Sequence, residues 1–187
     1  MRFFVAAHSA VFDRVEALAP AVLPTLARFI FAATLFWYYV NSGIQKFGDG
    51  IGGLFAPDAG AYVTIFPKTF EAVGYDVTQL GTFHYLVALS GTWAEVILPI
   101  MILIGLFTRI AALGMIVVVI VQSVVDIFGH NLAEADIGTW FDNLPTALIV
   151  DQRAFWVFLL LYLVMRGGGP LSVDRLLMAR QPALAQA

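Results

Sequence analysis

The chain contains no cysteine. That removes disulfides, thiolate metal sites, Cys-x-x-Cys redox chemistry and thioether haem attachment together. If this protein handles electrons, a bound cofactor or a partner must carry them. Charge is scarce as well. Acidic and basic residues make up 12% of the 187 positions, where a soluble domain carries about 25%. A net charge of −3 gives no basis for binding nucleic acid, and none is expected as a partner. The glycine-rich stretch Gly48-Asp49-Gly50-Ile51-Gly52-Gly53 follows an apolar run rather than a strand, so it fails as a dinucleotide fingerprint. There is no HExxH, no Ser/His/Asp order and no Asp-rich calcium loop. The first residues do not read as a signal peptide, because His8, Ser9, Asp13 and Arg14 interrupt the apolar stretch and no good cleavage site follows.

What fills the space is apolar: 60% of residues are hydrophobic and mean hydropathy is +0.86. A helix crossing the hydrocarbon needs about 20 such residues. Four runs qualify, at residues 24–46, 83–107, 110–129 and 148–166. Only Thr108 and Arg109 separate the second from the third, which predicts a tight helical hairpin. The fourth has twelve unbroken apolar residues, Ala154 to Met165, and must borrow Ala147–Val150. Before the first span, Phe3, Phe4, Ala7, Val11, Val15 and Leu18 recur at helical spacing, as in a helix lying on a membrane surface. With both termini on one side, that side holds Arg2, Arg14, Arg109, Arg166, Arg175 and Arg180, against Lys46, Lys68 and Arg153 opposite. The positive-inside rule then puts both termini in the cytoplasm. The expected fold is an all-α, integral-membrane four-helix bundle, N-in and C-in, in a single domain over residues 1–187. It has an N-terminal amphipathic surface helix and a short C-terminal amphipathic helix. The outer loops, 47–82 and 130–147, are long enough to carry a function or a partner. The first is expected to fold back onto the bundle, with a short helix near Pro67–Val73.

Two of the spans are pierced by a charge, Arg28 in the first and Glu95 in the second. A charge at membrane depth costs about 2.5–3.5 kcal/mol even on the lenient insertion scale, so it normally has a partner. An Arg28–Glu95 pair is the economical arrangement. It reads either as an ion pair that fixes helix packing or as a binding or proton-linked centre; a protonated Glu95 bonded elsewhere is the third reading. Pro99, four residues after Glu95, removes the amide that would bond the Glu95 carbonyl and is expected to open the backbone there. Gln122, Asp126 and His130 fall at i, i+4 and i+8, on one face of the third span. His84 and His130 lie at the same outer end of the hairpin. A metal or haem between them is the less favoured reading, behind a polar ligand contact or an inert interfacial role. Phe36, Trp37, Tyr38 and Tyr39 form an aromatic cluster that reads first as a headgroup belt and second as a stacking platform for a quinone ring.

Three stretches carry a resemblance to the DoxX family of small four-helix membrane proteins. Arg28 followed by Gly43-Ile44-Gln45-Lys46-Phe47 resembles the family's arginine and Gly-x-x-Lys-apolar ending. Glu95 followed by Gly105-Leu106-Phe107-Thr108-Arg109-Ile110-Ala111-Ala112 resembles its hairpin. Arg166-Gly167-Gly168-Gly169-Pro170-Leu171-Ser172-Val173-Asp174 resembles its C-terminal motif, with the glycine–proline order altered. The resemblance covers residues from about Thr25 to Leu177. It implies redox work at a bacterial inner membrane without naming a catalytic residue. Relatives include a membrane subunit of thiosulfate:quinone oxidoreductases, accessory proteins of oxidative-stress complexes, and a subgroup with a longer first outer loop, like this chain, encoded beside oxidases that modify copper-binding peptides.

The leading expectation is an accessory subunit of a quinone-linked membrane redox system, with catalysis by this chain itself left open. Arg28 and Glu95 form its polar centre, and Trp37, Lys46, Trp93, Gln122, Asp126 and His130 are its candidate quinone or polar-ligand contacts. Expected partners are the lipid bilayer and a membrane or periplasmic protein, with a second copy of the chain left open. The alternatives are an assembly protein that docks a partner through its outer loops and a small-solute transporter. The last is disfavoured because four helices without an inverted repeat make a thin scaffold for alternating access.

Overall fold

The computed structural model of the protein describes residues 1–179, and among them it is helical with no strand. Arg180, counted above among the cytoplasmic charges, lies outside the described residues. The helices are α1 (Arg2–Ile44), α2 (Ala59–Ile65), α3 (Pro67–Ala72), α4 (Thr82–Ile104), α5 (Thr108–Gly129), α6 (Glu134–Ile137), α7 (Leu148–Arg166) and α8 (Val173–Ala179). Of these, α1, α4, α5 and α7 are long and apolar enough to cross a membrane. Their outward faces are apolar too: Phe29, Ile110, Phe155 and Phe158 are each about 70% exposed, as a surface that meets lipid rather than water should be.

The helix ends fall within a few residues of the hydropathy boundaries, with one difference. The expected surface helix and the first span are one uninterrupted helix of 43 residues. At about 1.5 Å per residue it is about twice as long as a hydrocarbon core is thick. Pro20 and Pro24 sit inside it without breaking it. Pro24 is fully buried, and the turn at Gly169 presses against it.

The four long helices close a ring: α1 touches α4 and α7, and α5 touches α4 and α7. Phe31, Leu35 and Tyr39 of α1 meet Ile102, Met115, Val119, Leu160 and Leu163 in the centre, with Ala111 and Ala112 allowing close approach. Gly105, at φ +72°, ends α4 with the paired bonds Leu106 N–H to Met101 carbonyl and Gly105 N–H to Ile102 carbonyl. Pro99 lies buried inside α4, which runs past it without a break.

Residues 47–82 fold back as expected. The helix at Pro67–Ala72 forms where one was expected, and Ala59–Ile65, which was not expected, forms beside it. Asp58 caps α2 by accepting from the Gly60 amide. Tyr62 and Phe70 are buried against Ala88 of α4 in a second small core, and burial pushes the Tyr62 hydroxyl pKa up. Tyr85 and Trp93 of α4 donate to the carbonyls of Phe55 and Leu54, tying the loop down. Three of the long helices contain one wide turn, at Ala32–Phe36, Val125–Gly129 and Leu148–Gln152. In two of them an i to i+5 bond shows it: His130 N–H to Val125 carbonyl, 3.0 Å, and Gln152 N–H to Ala147 carbonyl, 3.1 Å. Such turns add a residue to the spiral and gather at functional sites.

Candidate functional site

Arg28 does not meet Glu95. Its guanidinium donates four hydrogen bonds, all to backbone carbonyls: Ile102 at 2.9 Å, Leu103 at 2.5 Å, Gly168 at 3.1 Å and Leu171 at 2.5 Å. The first two belong to the last turn of α4, where carbonyls lack their regular i+4 amides; that of Ile102 also accepts from the Gly105 amide. The other two belong to the turn between α7 and α8. Asp174 completes this knot by accepting from the Phe107 and Thr108 amides and the Thr108 hydroxyl, which caps α5. The arginine motif, the hairpin and the C-terminal motif thus meet at the terminal face of the bundle. About 10 Å of helix rise separates Ile102 from Glu95, and the expected pair fails on depth.

Glu95 pairs instead with Lys46. The Lys46 ammonium lies 2.6 and 2.7 Å from its two carboxylate oxygens, and both side chains are nearly out of contact with the surroundings, 7% and 13% exposed. Lys46 follows the last turn of α1 and reaches back along the helix instead of out to the interface. The close approach of α1 and α4 permits this. A Cβ added at Gly43 would sit 2.6 Å from Val96 Cγ2 and 3.1 Å from Glu95 Cβ. We therefore expect Gly43→Ala to part the helices and destabilise the protein by about 1–3 kcal/mol, the usual cost of overpacking. Thermal melting in detergent checks this against Gly52→Ala, where nothing lies within 4 Å of the added carbon.

The pair forms one edge of a cavity of about 470 Å³ between α1, α4 and α5, roofed by Thr64 and Ile65 of α2. Its walls are apolar: Val87, Leu98, Val117, Val118 and Val121. Val117, Val121, Ser90 and Tyr38 are exposed, so the cavity opens sideways between α4 and α5 on the lipid-facing surface. Its polar edge continues from Lys46 and Glu95 to Gln122 and Asp126. Gln122 donates to the Tyr38 hydroxyl at 2.7 Å and accepts from Tyr39 at 3.3 Å. Asp126 is held by Arg153, which also donates to Ser123 at 2.9 Å and stands over the Trp156 ring. Two part-buried ion pairs therefore flank one apolar-walled chamber.

Of the residues singled out from sequence, Lys46, Glu95, Gln122 and Asp126 come together here, while Arg28 belongs to the knot described above. Trp37 does not join them: it is 71% exposed and faces outward. Trp93 packs on Phe47 and anchors the outer loop. His130 lies just past the wide turn at Val125–Gly129 and does not line the chamber; its Nε2 lies 3.1 Å from the Thr64 carbonyl beside the roof. His84 sits between Phe66 and Phe83, its Nδ1 buried without a partner. The two histidines thus serve different neighbours, and no group of three or more metal-ligating side chains forms among the described residues. Sequence reasoning passed over Arg153, placed at the interface by its flanking polar residues but in fact buried. It also read Tyr38 and Tyr39 mainly as belt.

Fold and site together define a multi-pass helical membrane protein with a polar-edged chamber between its spans. The DoxX family model matches residues 23–126, more than half of the sequence, and the chain belongs to the DoxX family. No curated protein and no solved structure matches it.

Proposed function

We propose that this protein is an accessory subunit of a membrane redox system, and that it holds a quinone in the chamber beside Lys46 and Glu95. The chamber's distribution of polarity carries the reading. A quinone has a flat ring with two carbonyl oxygens and an apolar tail. The chamber offers hydrogen-bond donors along one edge, apolar walls, a volume within the range of small-molecule sites, and a lateral mouth on the lipid side. Lys46 presents an ammonium. Tyr38 accepts from Gln122 and so keeps its own proton to donate. Glu95 sets a carboxylate beside that ammonium at the chamber's edge. A bound quinone would supply two-electron, two-proton exchange. This reading places the other redox partner, a protein, at the periplasmic loop face of a bacterial inner membrane.

The test is equilibrium binding of a short-tailed benzoquinone to the purified full chain in mild detergent, followed by tryptophan fluorescence, with organic extraction of the untreated protein alongside. Tyr38→Phe combined with Gln122→Leu is expected to weaken binding about ten-fold, as loss of one or two net hydrogen bonds should. Trp37→Phe, on the lipid-facing side, should leave it unchanged. A protein that neither co-purifies with quinone nor binds it, or whose double variant binds equally well, sinks the proposal.

A further inference from the structure

A second groove, of about 930 Å³, lies at the terminal face, away from the chamber. Three arginines from three separate segments line it: Arg109 in the first turn of α5, Arg166 at the end of α7 and Arg175 in α8. All three are exposed. Neither ion pair among the described residues involves any of them. Among the described residues the groove has one carboxylate, Asp174, and it is already committed, with both oxygens accepting from Phe107 and Thr108. Arg109 is not splayed at random. Its guanidinium end passes against Gly167, where a Cβ would stand 3.4 Å from its Nε. The positive-inside rule accounts for basic residues on this face. It does not account for three of them lining one groove in which, among the described residues, no acid is left to answer them.

The groove is also amphiphilic. Phe107, Ile110 and Met178 on its rim are more than half exposed and belong to segments at the ends of membrane spans. An anion that satisfies both halves has a phosphate at the headgroup level and hydrocarbon below it. Guanidinium forks match phosphate oxygens two at a time, and basic pockets between spans at this level bind anionic headgroups. We infer that the Arg109–Arg166–Arg175 groove is a binding site for the phosphate headgroup of an anionic glycerophospholipid.

Native mass spectrometry of the full chain tests this, with phosphatidylglycerol and phosphatidylcholine of identical acyl chains supplied in equal amounts from detergent. The wild type is expected to retain phosphatidylglycerol at least about ten-fold over phosphatidylcholine, and to lose that preference as salt rises. Each Arg→Gln change at 109 or 175 should lower the preference about five-fold. Arg109→Lys should retain part of it. Equal retention of the two lipids by the wild type overturns the inference whatever the variants do. So does a preference that survives Arg109→Gln combined with Arg175→Gln. Inorganic phosphate is the third arm. If millimolar phosphate binds as tightly as the lipid and through the same arginines, the site serves a soluble anion and the lipid assignment falls.

Discussion

Replacing Arg28 by methionine is expected to leave little stably folded protein. Arginine supplies five N–H groups in a planar fork, and here they reach four carbonyls in two different segments. Methionine fills much of the volume and answers none of them. Each buried acceptor left alone costs about 1–3 kcal/mol. The α4 terminus would also lose the cation that complements its dipole. Water rescues some of these groups at the bundle end, so a total of about 3–5 kcal/mol is the fair expectation, similar to breaking a buried charge pair. In a chain of this size that lowers the melting temperature by about 10 °C or more. Arg28→Lys should do only partly better, since its donors radiate from one atom and cannot span both segments. Melting curves and the monodisperse yield from detergent extraction are the readouts. A methionine variant melting within a few degrees of wild type would mean that the knot is decoration and that helix packing alone holds the terminal face.

That knot explains what the sequence could and could not reveal. The spans were legible because twenty-residue apolar runs leave few alternatives. The hairpin was legible because Gly105 and Thr108-Arg109 interrupt two such runs. The partner of Arg28 was not legible, because its acceptors are backbone carbonyls, which every residue has. With one charge deep in each of the first two apolar runs, pairing them was the simplest inference. The structure instead draws in Lys46 and Arg153 from the ends of helices, positions where long basic side chains normally reach outward to the interface. The Gln122–Asp126–His130 register failed for another reason. The helix ends in a wide turn at Gly129, so His130 is its cap and spends its ring on the Thr64 carbonyl, outside the chamber lining. On lipid-facing helices both faces are apolar, so periodicity carries little information about which residue looks inward.

Lys46→Met is expected to destabilise the protein by about 3–5 kcal/mol, because it strands the Glu95 carboxylate among apolar walls. The more telling construction is the double change, Lys46→Met with Glu95→Leu. A buried ion pair gives back in attraction roughly what it costs to desolvate, so apolar replacements of similar volume are often neutral. Most of the lost melting temperature should therefore return in the double variant. Quinone affinity should not return, since the chamber would have lost its ammonium and its carboxylate together. That split separates two accounts of the same contact. If the pair exists to hold α1 against α4, the double variant stays as unstable as the single one and any ligand binding is unaffected. If the pair exists to serve the chamber, the fold tolerates its removal and the binding does not. The Gly43 contact favours the second account, since it already brings the two helices together without any charge. A bundle that can be packed by glycine and valine has no structural need of a lysine–glutamate pair at the edge of an apolar cavity.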